Sequence, residues 1–231
     1  MNYGFCYFDK IYCINLKSRL DRWENCEKQF SQYKIPNVQR FEAVKCNYTN
    51  LSKKANSQIG CTLSHYYICK EAKEKKYNRI LVLEDDFLFT KSVDYVNDKL
   101  NKSILDLPVD WDLFYFGAYF VKGYEYNPVK GYSENLVKVN TGFCTHAISY
   151  SLNGINKILR DLKLDTEKDV LSFSEEYEVI DWYLVRNFQY DNKCFAVNEL
   201  LCEQSDGISD IEDKYFNYHS LFLNSYKQNI V

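Results

Sequence analysis

The chain has 231 residues, of which 46% are hydrophobic and 26% charged, and its formal net charge is −3. Such a chain can bury a sizeable core, and because no internal repeat, low-complexity tract or Pro/Gly linker divides it, we expect one domain over residues 1–231. The slightly negative net charge does not predict the basic surface that binds nucleic acid or an anionic membrane. It favours a small-molecule partner or another neutral surface.

Hydrophobic periodicity predicts alternating strands and helices. In chain order we expect strand 11–16, helix 19–33, strand 40–44, a helix from about Gly60 to Lys76, strand 79–86, and a helix carrying Val93, Val96, Leu100 and Ile104. Next come strand 111–118, a hairpin or loop insertion over 119–140, strand 145–151, and helices near 152–162 and 174–188. This alternation predicts an α/β sandwich with a mainly parallel sheet.

The chain shows no sign of export or membrane insertion. Its first residues lack the basic flank, apolar stretch and cleavage site of a secretory signal, and no segment approaches the roughly 18 apolar residues of a membrane span. The nine cysteines lack CxxC pairs, so we expect reduced thiols. We therefore expect a cytoplasmic protein without a transmembrane span; peripheral membrane association and the oligomeric state stay open.

Three consecutive carboxylates, Glu84, Asp85 and Asp86, end the strand that begins at Arg79. Ligands bind beyond the carboxyl ends of strands in open α/β sheets, and alternation along a strand puts Glu84 and Asp86 on one side. Carboxylates that project together repel unless a cation or a proton relieves them, and oxygen ligands suit magnesium or manganese. The alternative is that these acids cap the helix near Ser92 or face solvent.

A set of short motifs resembles the family 25 glycosyltransferases, the group of bacterial lipooligosaccharide and collagen galactosyltransferases. The motifs occur in the order and at the approximate spacing of that family. The motifs are INLKSRLDR (14–22), RFEAV (40–44), IGCTLSH (59–65), LVLEDD (81–86), WDLFYFG (111–117), DWYL (181–184) and Gln204 with Ser209, Asp210 and Ile211. The likeness runs from Ile11 to about Ile211.

The resemblance implies a GT-A fold and an inverting, divalent-metal-dependent transfer of galactose or glucose. The donor would be a UDP-hexose, and the acceptor a hydroxyl of a glycan, glycolipid or glycoprotein, as in lipopolysaccharide biosynthesis. The resemblance also places Glu84, Asp85 and Asp86 at the family's metal-binding acidic motif, with Mn²⁺ or Mg²⁺ as cofactor. We expect Asp86 to bind metal directly, Glu84 to bind metal or donor, and Asp85 to orient the donor sugar, although the sequence does not separate the last two roles.

An inverting transfer needs a base that takes the proton of the acceptor hydroxyl. On the predicted helix 174–188, Asp181 shares an apolar stripe with Tyr177, Leu184 and Phe188, and a carboxylate turned inward is costly unless it is paired or used. The alternative is a salt bridge to a core-lining Arg or Lys, or an exposed position on a helix with a different phase. Because Asp181 also begins the DWYL motif, we take it as the base, with Glu178 as the fallback.

Other donor contacts are predicted from position. The turn near Gly60 should open at the crevice, where free amides suit an anionic or hydroxyl-rich ligand, so Ser64 and His65 are candidates. The alternative for His65, which shares an apolar helix face, is a satisfied core histidine. Asn15 and Arg19 follow the first strand, and an Arg can meet diphosphate oxygens; the alternative for Arg19 and Arg22 is a solvated helix surface.

The late part of the chain offers further candidates. His219 is a possible additional metal ligand, and Asp210 is either part of the site or a helix cap. Tyr119, Tyr124, Tyr126 and Tyr132 could help form an acceptor site. Two other classes stay open: an inactive family member that serves as a binding module, and another nucleotide-dependent enzyme. The segment INLKSR contains no glycine-rich phosphate loop, which disfavours the second.

Overall fold

The structure is a computed structural model that describes residues 4–121, 128–191, 193–209, 211 and 214–230. In chain order, the first elements are β1 (Lys10–Asn15), α1 (Leu20–Gln32), β2 (Val38–Glu42), α2 (Lys53–Glu74), β3 (Arg79–Glu84), β4 (Phe87–Phe89), α3 (Val93–Asp106), β5 (Leu113–Tyr115), β6 (Tyr119–Phe120), β7 (Val129–Gly131) and β8 (Leu136–Val139). They are followed by β9 (Gly142–Phe143), β10 (Ala147–Ser151), α4 (Leu152–Asp161), α5 (Glu167–Tyr177), α6 (Ile180–Asn187), β11 (Cys194–Val197), β12 (Cys202–Gln204), β13 (Gly207–Ile208), β14 (Tyr215–Phe216) and α7 (Tyr218–Asn229).

The central sheet has eight strands in the order β2-β1-β3-β10-β5-β11-β8-β7. Strands β1, β2 and β3 are mutually parallel, as are β5 and β11, whereas β10 and β8 run against the other strands of the sheet. The predicted α/β sandwich with a mainly parallel sheet is confirmed. The predicted hairpin is present as β7 and β8, and Tyr124 and Tyr126 lie outside the described residues.

Alternation along the strands divides the core into two layers. Ile80 and Val82 of β3 face one apolar cluster, which includes residues of α2, α4 and α6, whereas Leu81 and Leu83 face the other, which includes residues of α1 and α3. Burial on both faces explains why β3 reads as a continuous apolar run. Its first charged residue after Arg79 is Glu84, where the strand leaves the core.

The strand register places several chain segments at one edge of the sheet. Ile14 of β1 lies opposite Glu84 of β3, so both parallel strands end there. The antiparallel strand β10 begins at the same edge, because Ala147 lies opposite Leu83. Asn15, Glu84 and the residues just before Ala147 therefore meet.

Helix α2 begins at Lys53, seven residues before the predicted start. Ser52 caps it by accepting a hydrogen bond from the Ala55 amide at 3.1 Å. The first two turns are largely polar, so hydrophobic periodicity did not reveal them. Gly60 lies inside the helix, where a Cβ atom would approach the Val44 carbonyl oxygen to 2.3 Å. The prediction that the free amides of a helix start lie near Gly60 is therefore wrong.

The predicted helix 174–188 is two helices. Glu178 has a left-handed φ of 62° and ends α5, and Val179 is extended before α6. All nine cysteines are free, as predicted. Within the described parts of the chain, no helix combines the length and the apolarity that a membrane crossing needs.

Candidate active site

A cleft of about 840 Å³ opens at the edge of the sheet where β1 and β3 end. Most of the residues predicted for the site line it: Asn15, Arg19, Ser64, Glu84, Asp85, Asp86 and Asp181. They come from the ends of β1 and β3, from the loops that follow these strands, and from two helices, α2 and α6. The fold therefore brings the acidic triplet and the predicted base to one cavity.

Both carboxylate oxygens of Asp85 accept hydrogen bonds. Its Oδ1 accepts from Arg22 Nη1 at 2.7 Å, and its Oδ2 accepts from Asn15 Nδ2 at 2.6 Å. The Arg40 guanidinium donates in turn to Asn15 Oδ1. Burial raises the pKa of Asp85, and the Arg22 charge and the Asn15 hydrogen bond oppose that rise. Asp85 therefore fixes the orientation of Arg22 and Asn15.

Asp86 follows β3 in the turn before β4, and its environment differs. Its Oδ2 accepts from Gln204 Nε2 at 3.2 Å, whereas its buried Oδ1 has no hydrogen-bond partner in the described part of the chain. The nearest guanidinium nitrogen of Arg22 is 3.9 Å away. Burial, with the charge of Glu84 added, raises the pKa of Asp86 to about 7.

Glu84, the last residue of β3, is held by two side chains. Its Oε1 lies 3.2 Å from His65 Nε2 and accepts from Thr145 Oγ1 at 2.6 Å. Burial favours the neutral acid, but the His65 contact and the Thr145 hydroxyl outweigh it and hold the pKa of Glu84 below its ordinary value. Glu84 is therefore an anion at neutral pH.

Asp181 lies in the first turn of α6. Its Oδ2 accepts from the backbone amide of Cys144 at 2.9 Å, and its buried Oδ1 has no partner among the residues that the structure describes. Burial raises the pKa of Asp181 to about 6; the Cys144 amide opposes this shift, and the charge of Glu84 adds to it. A carboxylate with one hydrogen-bonded oxygen and this pKa can accept a proton near neutral pH.

Three predicted donor contacts are engaged in hydrogen bonds within the protein. The hydroxyl of Ser64 donates to the Gly60 carbonyl at 2.7 Å and accepts from the Val44 amide at 2.9 Å, so it holds α2 against the preceding loop. His65 is fully buried and contacts the cleft residue Glu84. Arg19 lies at the cleft and pairs with Asp21 at 2.9 Å. Their roles as donor contacts stay predictions.

The structure does not bring His219 to the acidic triplet. Its Nδ1 lies 3.0 Å from both carboxylate oxygens of the buried Glu203, and the neighbouring residue Tyr218 lines the cleft instead. The assignment of His219 as a metal ligand stays a prediction that this geometry does not support. Asp210 lies outside the described residues.

The chemistry of the cleft fits a divalent cation. Glu84 and Asp86 raise each other's cost of ionisation, and Asp86 keeps one buried oxygen unpaired among the described residues. A cation relieves both effects, since it offsets the repulsion and occupies the oxygen. Oxygen ligands of this type suit Mn²⁺ or Mg²⁺.

Several residues of the site were missed or ranked low by the sequence. Arg22, rather than Arg19, reaches the triplet, because it lies one turn further along the side of α1 that faces Asp85. Thr145 and Cys144 contribute because β10 begins beside the end of β3. Neither belongs to a motif, so only the strand order reveals them.

Comparison with known proteins gives one family. Residues 8–153 match the model described as glycosyltransferase family 25 (LPS biosynthesis protein). Procollagen galactosyltransferase 2 of Homo sapiens is 30% identical over 172 residues, which is 66% of this chain and 27% of that protein. The probable inactive glycosyltransferase 25 family member 3 of Rattus norvegicus is 29% identical over 158 residues, with 67% and 27% covered. The chain thus spans about a quarter of the length of these curated relatives.

Solved structures of low identity are also similar in outline. A glycosyltransferase involved in the glycosylation of the major capsid of PBCV-1 has 12% sequence identity and a TM-score of 0.39, covering 81% of this chain and 92% of that chain.

Proposed function

Because this chain belongs to glycosyltransferase family 25, we propose that it is an inverting hexosyltransferase that moves galactose or glucose from a UDP-sugar to a hydroxyl of a glycan or glycoconjugate. The observation that carries this proposal is the meeting of Glu84, Asp86 and Asp181 in one cleft. The names of the galactosyltransferase relatives support galactose, and the family's description as LPS biosynthesis protein supports a glycolipid acceptor.

Glu84 and Asp86 would hold the divalent cation, Mn²⁺ or Mg²⁺. Asp86 offers its unpaired Oδ1, and Glu84 is ionised and oriented by Thr145 and His65. When bound, the cation supplies positive charge next to the diphosphate that leaves during transfer. The carboxylates need no large rearrangement for this role, because their own neighbours already hold them.

Asp181 would act as the base. The backbone amide of Cys144 donates to Oδ2 and so fixes the orientation of the carboxylate, which leaves Oδ1 to accept a proton. The pKa of about 6 keeps the group ionised at neutral pH, yet basic enough to take the proton of an acceptor hydroxyl as the new bond forms. Asp181 lines the same cleft as Glu84 and Asp86, so the proposed base and the proposed cation ligands face one cavity.

The cluster of Asn15, Arg22 and Asp85 would position the donor. Both oxygens of Asp85 are engaged, so this residue acts through its partners rather than through a direct sugar contact. Arg22 also donates to the Ile208 carbonyl at 3.1 Å and so links β13 to the acidic triplet. A fixed guanidinium beside the cleft suits the diphosphate of a nucleotide sugar.

The alternative function is binding without turnover. One relative carries the name of a probable inactive family member, so membership alone does not decide. Asp181 favours the transferase, because a buried carboxylate with one unpaired oxygen among the described residues and a pKa of about 6 suits a base, and binding alone needs no base.

The test measures release of nucleoside diphosphate from a panel of nucleotide sugars, with Mn²⁺, Mg²⁺ or chelator. We expect one donor to be turned over only with cation, and Asp86→Asn to reduce the rate by about 10²-fold or more. Asp98→Asn is the matched control: it changes an exposed carboxylate on α3 and should leave the rate unchanged.

Two results would count against the proposal. Equal activity with chelator would remove the cation from the reaction. Absence of turnover of every donor under all conditions would reject the transferase, and the binding-module function would replace it.

A further inference from the structure

Three side chains of different ligand chemistry come together beside the acidic triplet. Cys61 and His65 lie four residues apart on α2, so they share one helix face. Glu84 at the end of β3 lies opposite them, with Oε1 3.2 Å from His65 Nε2. One ligand atom from each of the three residues lies within 4.8 Å of the others. We call Cys61, His65 and Glu84 the thiol cluster.

The orientation of His65 suits a metal ligand. Its Nδ1 lies 2.9 Å from the hydroxyl of the fully buried Tyr150, while Nε2 points to Glu84. Metal-binding histidines commonly engage the second ring nitrogen in such a contact, which fixes the ring and its tautomer. Without metal, Nε2–H donates to Glu84; when the imidazole proton lies on Nδ1 instead and is donated to Tyr150, the lone pair of Nε2 faces the carboxylate, and a cation takes the place of the proton between them.

The ligand set selects a cation different from that of the transfer reaction. Sulfur, imidazole nitrogen and one carboxylate oxygen suit Zn²⁺, whereas Mg²⁺ and Mn²⁺ prefer oxygen. Zn–S bonds of about 2.3 Å and Zn–N bonds of about 2.0 Å place tetrahedral ligands closer together than 4.8 Å, so small side-chain shifts complete the site. Cys61 lines the cleft, which gives an entry path.

We propose that Cys61, His65 and Glu84 bind Zn²⁺ and that this binding inhibits sugar transfer. The thiol proton passes to solvent as the Zn–S bond forms. Inhibition follows because Glu84 belongs to both sites: once it coordinates zinc, it no longer serves the oxygen-ligated cation. This second part rests on the proposed function, whereas zinc binding itself does not.

The binding test uses Co²⁺ as a spectroscopic probe for zinc, since a cobalt–thiolate bond gives a charge-transfer band in the near ultraviolet. We expect one equivalent of Co²⁺ to produce the band in the whole chain and Zn²⁺ to remove it. Cys61→Ser should abolish the band. Cys46→Ser, which changes another half-buried cysteine of the same cleft, should retain it.

A second variant tests the role of Tyr150. Tyr150→Phe removes only the hydroxyl that contacts His65, and we expect it to weaken zinc affinity about tenfold while the band persists. A band that is absent from the wild type, or that is equally strong in Cys61→Ser, would overturn the site. Circular dichroism establishes that each variant is folded.

The inhibition test adds Zn²⁺ to Mn²⁺-supported turnover of the donor. Zinc should suppress turnover in the wild type and in Cys46→Ser, but not in Cys61→Ser. Equal inhibition in all three would overturn the inhibitory role. If no donor is turned over under any condition, the transferase proposal fails, and the cobalt band still decides the zinc site.

Discussion

Asp85 and Asp86 are neighbours of identical chemistry with opposite surroundings. Both oxygens of Asp85 have close partners, at 2.7 Å from Arg22 and 2.6 Å from Asn15. Asp86 has one contact, at 3.2 Å from Gln204, and a buried oxygen without a partner in the described chain. We call Asn15, Arg22 and Asp85 the arginine cluster, and Asp86 and Asp181 the open carboxylates.

The contrast separates side chains that stabilise the fold from the side chains that we propose bind the cation or act as the base. A satisfied polar network adds rigidity, whereas a buried carboxylate with an unpaired oxygen reduces stability. The raised pKa of each open carboxylate, to about 7 in Asp86 and about 6 in Asp181, has burial as its largest cause. The fold therefore tolerates a loss of stability at two positions that line the cleft. Substitutions in the arginine cluster should lower the free energy of unfolding, whereas neutral substitutions of the open carboxylates should not.

The largest expected effect is on catalysis, at Asp181. Asp181→Asn keeps the size of the side chain and removes the base, so the transfer rate to an acceptor should fall by about 10²- to 10⁴-fold. Binding of the donor, measured by calorimetry, should change little because the Cys144 contact can be retained by the amide. Wild-type kcat should also fall as the pH drops below about 6, where Asp181 becomes protonated.

Glu178→Gln is the matched control for this prediction. Glu178 precedes α6 by two residues and is exposed at the break between α5 and α6. We expect near wild-type transfer in this variant. A large loss in Glu178→Gln with little effect of Asp181→Asn would reverse the assignment of the base.

The second effect is on stability, in the arginine cluster. Arg22→Met preserves the apolar stem and removes the charge that lowers the pKa of Asp85 and Asp86. At pH 7 the free energy of unfolding should decrease by about 2 kcal/mol, less than for a fully buried pair because the Arg22 and Asp85 side chains are 18% and 10% exposed. Urea titration measures the difference, which should shrink at lower pH as the carboxylates take up protons.

Arg19→Met provides the comparison within the same segment. Its pair with Asp21 involves a 64% exposed carboxylate, so its loss should change stability by at most about 0.5 kcal/mol. If the two arginine variants unfold at the same urea concentration, the arginine cluster does not contribute in the way proposed here.

The sequence predicted the elements well and the partners poorly, for a physical reason. Strand and helix order follow from local periodicity, and the acidic triplet was correctly placed at the end of β3. The difference between Asp85 and Asp86 depends instead on Arg22, Asn15 and Gln204, which approach from α1, β1 and the end of β12. Such approaches are set by strand order, which periodicity does not encode.

Asp181 lines the cleft, as predicted, although the single helix on which it was predicted to lie is two helices. The predicted stripe assumed one helix over 174–188, but Glu178 ends α5 in a left-handed conformation and α6 starts afresh. Helix propensity does not signal this break, since no Gly or Pro marks it. The segment match to DWYL located Asp181, whereas its contact with Cys144 could be learned only from the fold.

The smallest expected effect is a gain in stability at Asp86. The folded state holds the proton of Asp86 with a pKa of about 7, against an ordinary value of 3.8, so stability declines as the pH rises from about 4 to about 7. Asp86→Asn removes this decline, but the buried amide leaves polar atoms of its own to satisfy, so the free energy of unfolding at pH 8, without divalent cation, should rise by about 1 kcal/mol net, less than the full linkage of the pKa shift. Adding Mn²⁺ should stabilise the wild type but not the variant. Thermal unfolding at pH 5 and pH 8 measures both effects, and a variant less stable than the wild type at pH 8 would show that Asp86 belongs with the arginine cluster rather than with the open carboxylates.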